Sequence, residues 1–290
     1  MRLRVVSWNL DSTAKGLLDD KIELLRQLGP DLAFLQELNR PVYKALLPQP
    51  EAFERMHQRR RVFAWGTLST DHTDPRGSDV RVGCAVLGSP ATILLSAKLL
   101  YSAQFDVSEP ERPAVLRRTM AAQVATHGGR TLTACSLHAR PAPSDPGRQP
   151  PTFHSGVAGW LADLAGTALV GICAHAPQVD HPDFDRSRFR RPAPAGGGPG
   201  EDQLLGPQTI HGLTDVLRTH LDRHPAELER IRGERPDGPL AVSYRDAERP
   251  ARHDHIWATP DLEVVDVRYL YDEAMATGSD HGLVLADFEV

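Results

Sequence analysis

The stretch LVGICAHAPQVDHPD, residues 169–183, changes from an apolar run to a polar loop at a cysteine. Residues 169–172 are typical of a buried strand, and Cys173 and His175 follow at alternate positions. Alternate side chains of a strand point to the same face, so these two could reach one ion together. Thiolate and imidazole favour zinc, iron or copper over magnesium. The stretch therefore predicts a strand end that is able to bind a soft metal.

Apolar runs elsewhere in the chain predict that this strand belongs to an α/β fold. Several runs are linked as hairpins, as at the Gly-Gly turn of residues 128–129, and this favours a sandwich of packed sheets over a regular barrel. Helices are predicted from Leu18 to a stop signal at Gly29 and Pro30, and over residues 156–166. Strands are predicted at residues 3–8, 31–36, 81–89, 119–127, 128–139, 168–172, 253–259, 262–270 and 282–290.

The composition is that of an ordinary globular protein of 290 residues. We expect residues 1–290 to form a single domain, with a flexible Pro/Gly-rich loop at about residues 189–203 inside it. The formal net charge is −5, so there is no broad basic field that would attract nucleic acid non-specifically. Three widely spaced cysteines argue against a disulfide framework and fit a reducing compartment. With no apolar run approaching a membrane span, we expect a cytoplasmic protein without membrane contact.

Polar residues that can carry chemistry recur at the ends of the apolar runs. Active-site groups gather at such positions because a rigid sheet positions them well. In chain order they are Asn9, Asp11, Glu37, His138, Cys173, His175, Asp254, Asp280 and His281.

The ordered series SWNLDS, FLQEL, SLHA, GICAHAP, RHDHIW and GSDHGLV resembles the endonuclease/exonuclease/phosphatase superfamily. This superfamily has the fold of deoxyribonuclease I, the abasic-site endonucleases, the neutral sphingomyelinases and the inositol polyphosphate 5-phosphatases. Each motif is only two to four residues long, but the ordered set is specific and runs from residue 5 to about residue 288. The resemblance implies a four-layered α/β sandwich, with two packed, mostly antiparallel sheets flanked by helices.

For the metal, the resemblance implies a site for a divalent cation, usually Mg²⁺, which prefers oxygen ligands. Glu37 matches the main metal carboxylate of the superfamily, and Asn9 matches the residue that helps to position metal and phosphate. Asp11 matches a further carboxylate found in some members. Asp280 would add a metal ligand or a carboxylate behind the ligands.

For proton transfer, the resemblance implies two histidines. His138 matches the histidine that acts on the scissile phosphate or the leaving oxygen. His281 matches the second histidine, and Asp254 matches the carboxylate that fixes its tautomer and orientation.

The chain departs from the superfamily pattern at GICAHAP, residues 171–177. The superfamily has Asp where this chain has Cys173, and Asn where it has His175. A thiol with a usual pKa near 8.5 is a poor replacement for a carboxylate base beside Mg²⁺. Ordinary phosphodiester hydrolysis is therefore in doubt.

Three interpretations remain open at the level of sequence. In the first, Cys173 and His175, with at least one of His138, His281 and Glu37, form a repurposed transition-metal centre of a divergent metalloenzyme. In the second, the protein is a Mg²⁺-dependent phosphodiesterase or phosphatase with a rebuilt water site. In the third, it is a non-catalytic binding or regulatory relative.

Two arginines near the predicted site residue Asp254 suggest the charge of a substrate. Arg245 and Arg252 could bind an anionic group. The acidic net charge and the predicted flexible loop at residues 189–203 favour a small or medium substrate over duplex nucleic acid, and the arginines favour an anionic one.

Overall fold

The computed structural model describes residues 1–11, 18–47, 62–69, 82–98, 118–139, 152–174, 180–183, 204–206, 209–246 and 249–290. His175 and the predicted loop at residues 189–203 lie outside these ranges. Within them, no helix is long and apolar enough to cross a membrane.

The described strands form two six-stranded sheets and a small hairpin. Across the first sheet, the strands are Glu263–Leu270 (β13), Leu283–Glu289 (β14), Arg2–Asn9 (β1), Leu32–Asn39 (β2), Val82–Gly88 (β4) and Trp65–Leu68 (β3). Across the second, they are Thr92–Lys98 (β5), Thr119–Thr126 (β6), Thr131–His138 (β7), Thr167–Cys173 (β8), Asp254–Ala258 (β12) and Thr214–Asp215 (β9). The hairpin pairs Tyr244–Asp246 (β10) with Arg249–Ala251 (β11).

Helices flank the two sheets. They are Leu18–Leu28 (α1), Arg40–Leu46 (α2), Thr152–Ala162 (α3), Val216–Arg223 (α4), Pro225–Glu234 (α5) and Tyr271–Ala276 (α6). Apolar residues of α1, α2 and α6 pack on the first sheet, and those of α3 pack on the second. The predicted four-layered α/β sandwich is therefore confirmed, with one parallel pair in each sheet, β1 with β2 and β7 with β8.

The two sheets face each other across a buried apolar core, to which Phe34 and Leu169 belong. At Gly171 of β8 they come very close, since a Cβ there would lie 2.3 Å from the Cβ of Phe34. Glycine is required at this position because any side chain would push the sheets apart. Cys173, two residues further on and therefore on the same face of β8, is thereby held against the facing sheet.

The long apolar runs predicted from the sequence are strands in the structure, and α1 ends before Gly29, which has a φ of +56°. The predicted helix at 156–166 starts and ends four residues earlier, because the chain turns at Gly166 (φ +81°) before β8. The second strand was predicted to stop before Glu37, but β2 runs on to Asn39 through a bulge.

Candidate active site

Strand register places three of the predicted residues side by side in the second sheet. His138 pairs with Cys173 across β7 and β8, and Cys173 pairs with Asp254 across β8 and β12. In the facing sheet, Asn9 of β1 pairs with Gln36 of β2, next to Glu37. Because β1 and β2 lie opposite β7, β8 and β12, these strand ends meet at one edge of the sandwich.

His281 and Asp254 form a buried pair at this edge. The Nδ1 atom of His281 lies 2.8 Å from Oδ2 of Asp254. Hydrogen bonds from Trp8 Nε1 to the His281 carbonyl (3.1 Å) and from Ser279 Oγ to the Asn9 carbonyl (3.3 Å) tie the segment before β14 to β1. His281 therefore comes from the first sheet and its carboxylate partner from the second.

Cys173 lies in the interior beside this pair, with a residue exposure of 4%. Asn9 donates from Nδ2 to its Sγ at 3.6 Å, so the thiol contacts both sheets. Burial, followed by the charge of Asp254, raises the pKa of the Cys173 thiol to about 11. Even with His281 nearby, the side chain is therefore a thiol and not a thiolate at neutral pH, unless a metal cation binds to it.

Cys173, Asp254 and His281 form a potential metal-binding cluster. Each offers one ligand atom, and these atoms lie within 4.8 Å of one another. Asp254 is fully buried, and among the described residues none donates a hydrogen bond to its Oδ1. A buried carboxylate oxygen without a donor is costly, and a cation would satisfy it. The combination of sulfur, nitrogen and oxygen ligands fits a zinc-type ion better than Mg²⁺.

Either a proton or a metal ion can lie between Nδ1 of His281 and Oδ2 of Asp254. Burial lowers the pKa of His281, but the charge of Asp254 and hydrogen bonds to Asp254 and Cys173 outweigh burial and raise it to about 12. Without metal, the imidazole is therefore protonated against Asp254. A metal ion bound by Nδ1 would replace that proton, because one lone pair cannot serve both.

Glu37 and His138 form a second pair at the same edge, 3.7 Å apart between Oε1 and Nε2. Glu37 has a φ of +52°, in the left-handed region that non-glycine residues rarely adopt, where β2 and β4 shift register. The bulge turns the carboxylate out of the regular alternation of the strand. Neither residue belongs to the Cys173, Asp254 and His281 cluster within the described ranges.

Three solved structures share this architecture. A crystal structure of D. rerio TDP2 humanized by 14 mutations has a TM-score of 0.62 at 15% identity, covering 100% of this chain and 99% of that one. D. rerio TDP2 complexed with single strand DNA product gives 0.59 at 15% identity, with the same coverage. The human Nocturnin catalytic domain with bound sulfate anion gives 0.59 at 14% identity, covering 99% of this chain and 94% of that one.

This chain has the endonuclease/exonuclease/phosphatase fold. At 14–15% identity, the likeness to these structures is one of fold. No protein-family model matches the chain, and no curated protein matches it in sequence.

Within this deoxyribonuclease I-like fold, two predicted metal carboxylates interact electrostatically with a lysine that the sequence did not single out. Lys21 of α1 is buried and donates from Nζ to the carbonyls of Leu10 (2.7 Å) and Asp11 (3.2 Å). Burial lowers the pKa of Lys21, while the charges of Asp11 and Asp280 act in the opposite direction. The charge of Lys21 therefore interacts with those of Asp11 and Asp280. An amphipathic helix gives no signal for this role, because Lys21 reads there as a surface residue.

The prediction that Arg252 binds substrate needs correction. Its side chain is fully buried and forms ion pairs with Asp180 (2.6 Å) and Asp215 (2.5 Å). The guanidinium compensates two internal carboxylates and presents no surface to a ligand. Arg245 is different, because it is exposed and lies over the ring of Tyr271, 5.4 Å from the centroid.

Sequence reasoning also missed an aromatic cluster next to His281. The ring of Tyr244 stacks on His253 at 4.5 Å and lies 4.8 Å from His281. The only sequence signal was that His253 directly precedes Asp254. The hairpin of β10 and β11, which carries Tyr244, is too short to be recognised from its pattern.

Proposed function

We propose that this chain is a metal-dependent hydrolase in which Cys173, Asp254 and His281 hold a transition-metal ion, with zinc as the first candidate. Its substrate is a small or medium anionic phosphoester. The observation that supports the proposal most is the cluster of three buried ligand atoms within 4.8 Å, one of them on a carboxylate whose Oδ1 accepts no hydrogen bond from the described residues. His175, predicted as a further ligand, lies outside the described ranges.

The proposed ion would explain why a cysteine, Cys173, can stand where the superfamily pattern has aspartate. When bound, it would neutralise charge on a phosphate oxygen and lower the pKa of a water molecule, so that no carboxylate at position 173 is needed to activate that water. Around it, the chain supplies a half-buried imidazole on His138, paired with Glu37, to hold or pass a proton at Nε2. The exposed guanidinium of Arg245 can attract an anionic substrate.

Binding requires that the cluster gives up protons. The pKa values of about 11 for Cys173 and about 12 for His281 mean that both groups are protonated at neutral pH without metal. Cys173 and His281 would release these protons on binding an ion, so we expect the apparent metal affinity to rise as the pH rises. A soft ion offsets the cost of this deprotonation through its bond to the thiolate, which Mg²⁺ does not favour.

A second candidate is a Mg²⁺-dependent phosphodiesterase or phosphatase, favoured by the pairs Asp254–His281 and Glu37–His138. In that case Asp254 and His281 keep their proton, Glu37 binds the ion, and Cys173 is an inert replacement. The bound single strand DNA product and sulfate in the two solved structures are in keeping with phosphoester chemistry on this fold.

Elemental analysis of matched variants tests the proposal. The full chain is purified without a His-tag and without chelator, beside Cys173→Ser and Cys135→Ser. We expect about one equivalent of a transition metal per chain in the wild type and in Cys135→Ser, whose thiol is also buried, and loss of it in Cys173→Ser.

Hydrolysis of a synthetic phosphodiester separates the two candidates. We expect the wild type to require the transition metal, and Cys173→Asp to gain Mg²⁺-dependent activity while it loses the tight ion. A metal-free wild type, whose Mg²⁺-dependent activity is unchanged in Cys173→Ser, would contradict the proposed centre and support the second candidate.

A further inference from the structure

Ser243 forms hydrogen bonds with residues on both sides of the candidate centre. It is fully buried and lies just before β10. Its Oγ accepts hydrogen bonds from the backbone N–H groups of both His253 and Asp254, each at 2.9 Å. A single hydroxyl oxygen thus fixes the first residue of β12 and the residue before it.

The backbone of Ser243 reaches the other side of the site. Its carbonyl accepts a hydrogen bond from the N–H of Gly282 at 2.6 Å, and its N–H donates to the carbonyl of Ala251 at 3.0 Å. Gly282 directly follows His281. A Cβ on Gly282 would lie 3.1 Å from the Cα of Ser243, so the two segments are in close contact.

We propose that Ser243 is a positioning residue. It holds the His281 and Asp254 side chains so that Nδ1 of His281 lies 2.8 Å from Oδ2 of Asp254. Asp254 belongs to the second sheet and His281 to a segment of the first, and Ser243 bonds to the backbone at both. Its importance for activity rests on the function proposed above, but the geometric role does not.

The positions of Asp254 and His281 need such support because the two residues belong to different sheets. They are 27 residues apart, and the strands that follow them, β12 and β14, lie in different sheets. Small displacements of reacting groups cost large factors in rate. Partners that orient ligands from behind typically contribute roughly 10–100-fold to metal affinity or activity.

The test compares Ser243→Ala with Ser69→Ala in the full chain as purified. Ser69 is a matched control, since its buried Oγ also accepts a backbone N–H, that of Cys84 at 2.8 Å. The reporter is the nitrogen-15 resonance of the His281 ring, assigned with His281→Gln. It senses the contact with Asp254 whether a proton or a metal lies between them.

We expect Ser243→Ala to shift this resonance towards that of a free imidazole and to lower kcat roughly tenfold or more with little change in KM. Ser69→Ala leaves both unchanged, and Ser243→Thr, which keeps the acceptor oxygen, restores them. If Ser243→Ala does not fold, Ser243→Cys takes its place, because sulfur is a weak acceptor.

Two results would overturn the inference. One is a folded Ser243→Ala or Ser243→Cys protein with the wild-type His281 resonance. The other is an equal shift in Ser69→Ala, which would assign the effect to general loss of packing. A wild type without metal would count only against the proposed centre, because the resonance reports the His281–Asp254 contact itself.

Discussion

Glu37 shows how a single residue departs from its strand to serve the site. Its left-handed backbone, with a φ of +52°, lies inside β2 at the register shift between Leu35 and Leu38. An L-residue in this conformation costs about 1–2 kcal/mol. The same distortion brings the carboxylate within 3.7 Å of His138, and strain of this kind is often stored at functional sites.

Substitution of Glu37 by glycine and by alanine measures this strain. Both changes remove the carboxylate, but only glycine adopts a positive φ freely. We therefore expect Glu37→Gly to be more stable than Glu37→Ala by roughly 0.5–1 kcal/mol in urea unfolding. At the exposed helical residue Glu229 of α5, the order should reverse, with alanine the more stable. Equal or greater stability of Glu37→Ala would show that residue 37 carries no strain.

The sequence indicated that some residues lie at this edge and gave no sign of others, for a physical reason. Asp254, His281 and Cys173 could be recognised because they end or precede long apolar runs, and strand register then brings them together. The bulge at Glu37 and the burial of Lys21 could not be recognised, because both depend on packing against residues distant in the sequence.

At the scale of elements, Arg252 joins the start of β12 to its neighbours. It donates to Asp180 and to Asp215, and Asp215 also caps α4 by accepting the N–H of Leu217 at 3.0 Å. Its Nη1 lies 3.4 Å from the hydroxyl of Tyr269 in β13, and that hydroxyl donates to the Asp254 carbonyl at 2.9 Å. Arg252 was predicted to bind substrate because no local sequence pattern indicates its partners, which lie 72 and 37 residues away.

Replacement of Arg252 tests its structural role. Arg252→Met leaves two buried carboxylates without their cation, so we expect a loss of about 3–5 kcal/mol in the free energy of unfolding, measured with urea. Arg245→Met, the same change at an exposed arginine, should stay within about 0.5 kcal/mol of the wild type. Similar, small losses for both variants would mean that the Arg252 cluster contributes little, and would reopen its assignment to substrate.

At the scale of the whole molecule, the α/β sandwich is the feature that the sequence predicted most completely. Most strands of its two six-stranded sheets follow from the long apolar runs, although the edge strand β5 was not predicted, and the gathering of polar residues at one edge follows from the sheets. Short elements such as β3 and the hairpin of β10 and β11 were missed, because three or four residues carry no readable period. The hairpin matters to the site, since it begins directly after Ser243.

We infer that Cys173, Asp254 and His281 bind a soft metal ion at this edge of the sandwich, in place of the proton that otherwise lies between His281 and Asp254. X-ray absorption at the edge of the metal that co-purifies with the full chain tests it most directly. We expect one sulfur neighbour at about 2.3 Å with nitrogen and oxygen neighbours, and no sulfur in any metal that remains in Cys173→Ser. A bound metal with only nitrogen and oxygen neighbours, or a wild-type protein without a transition metal, would contradict the claim.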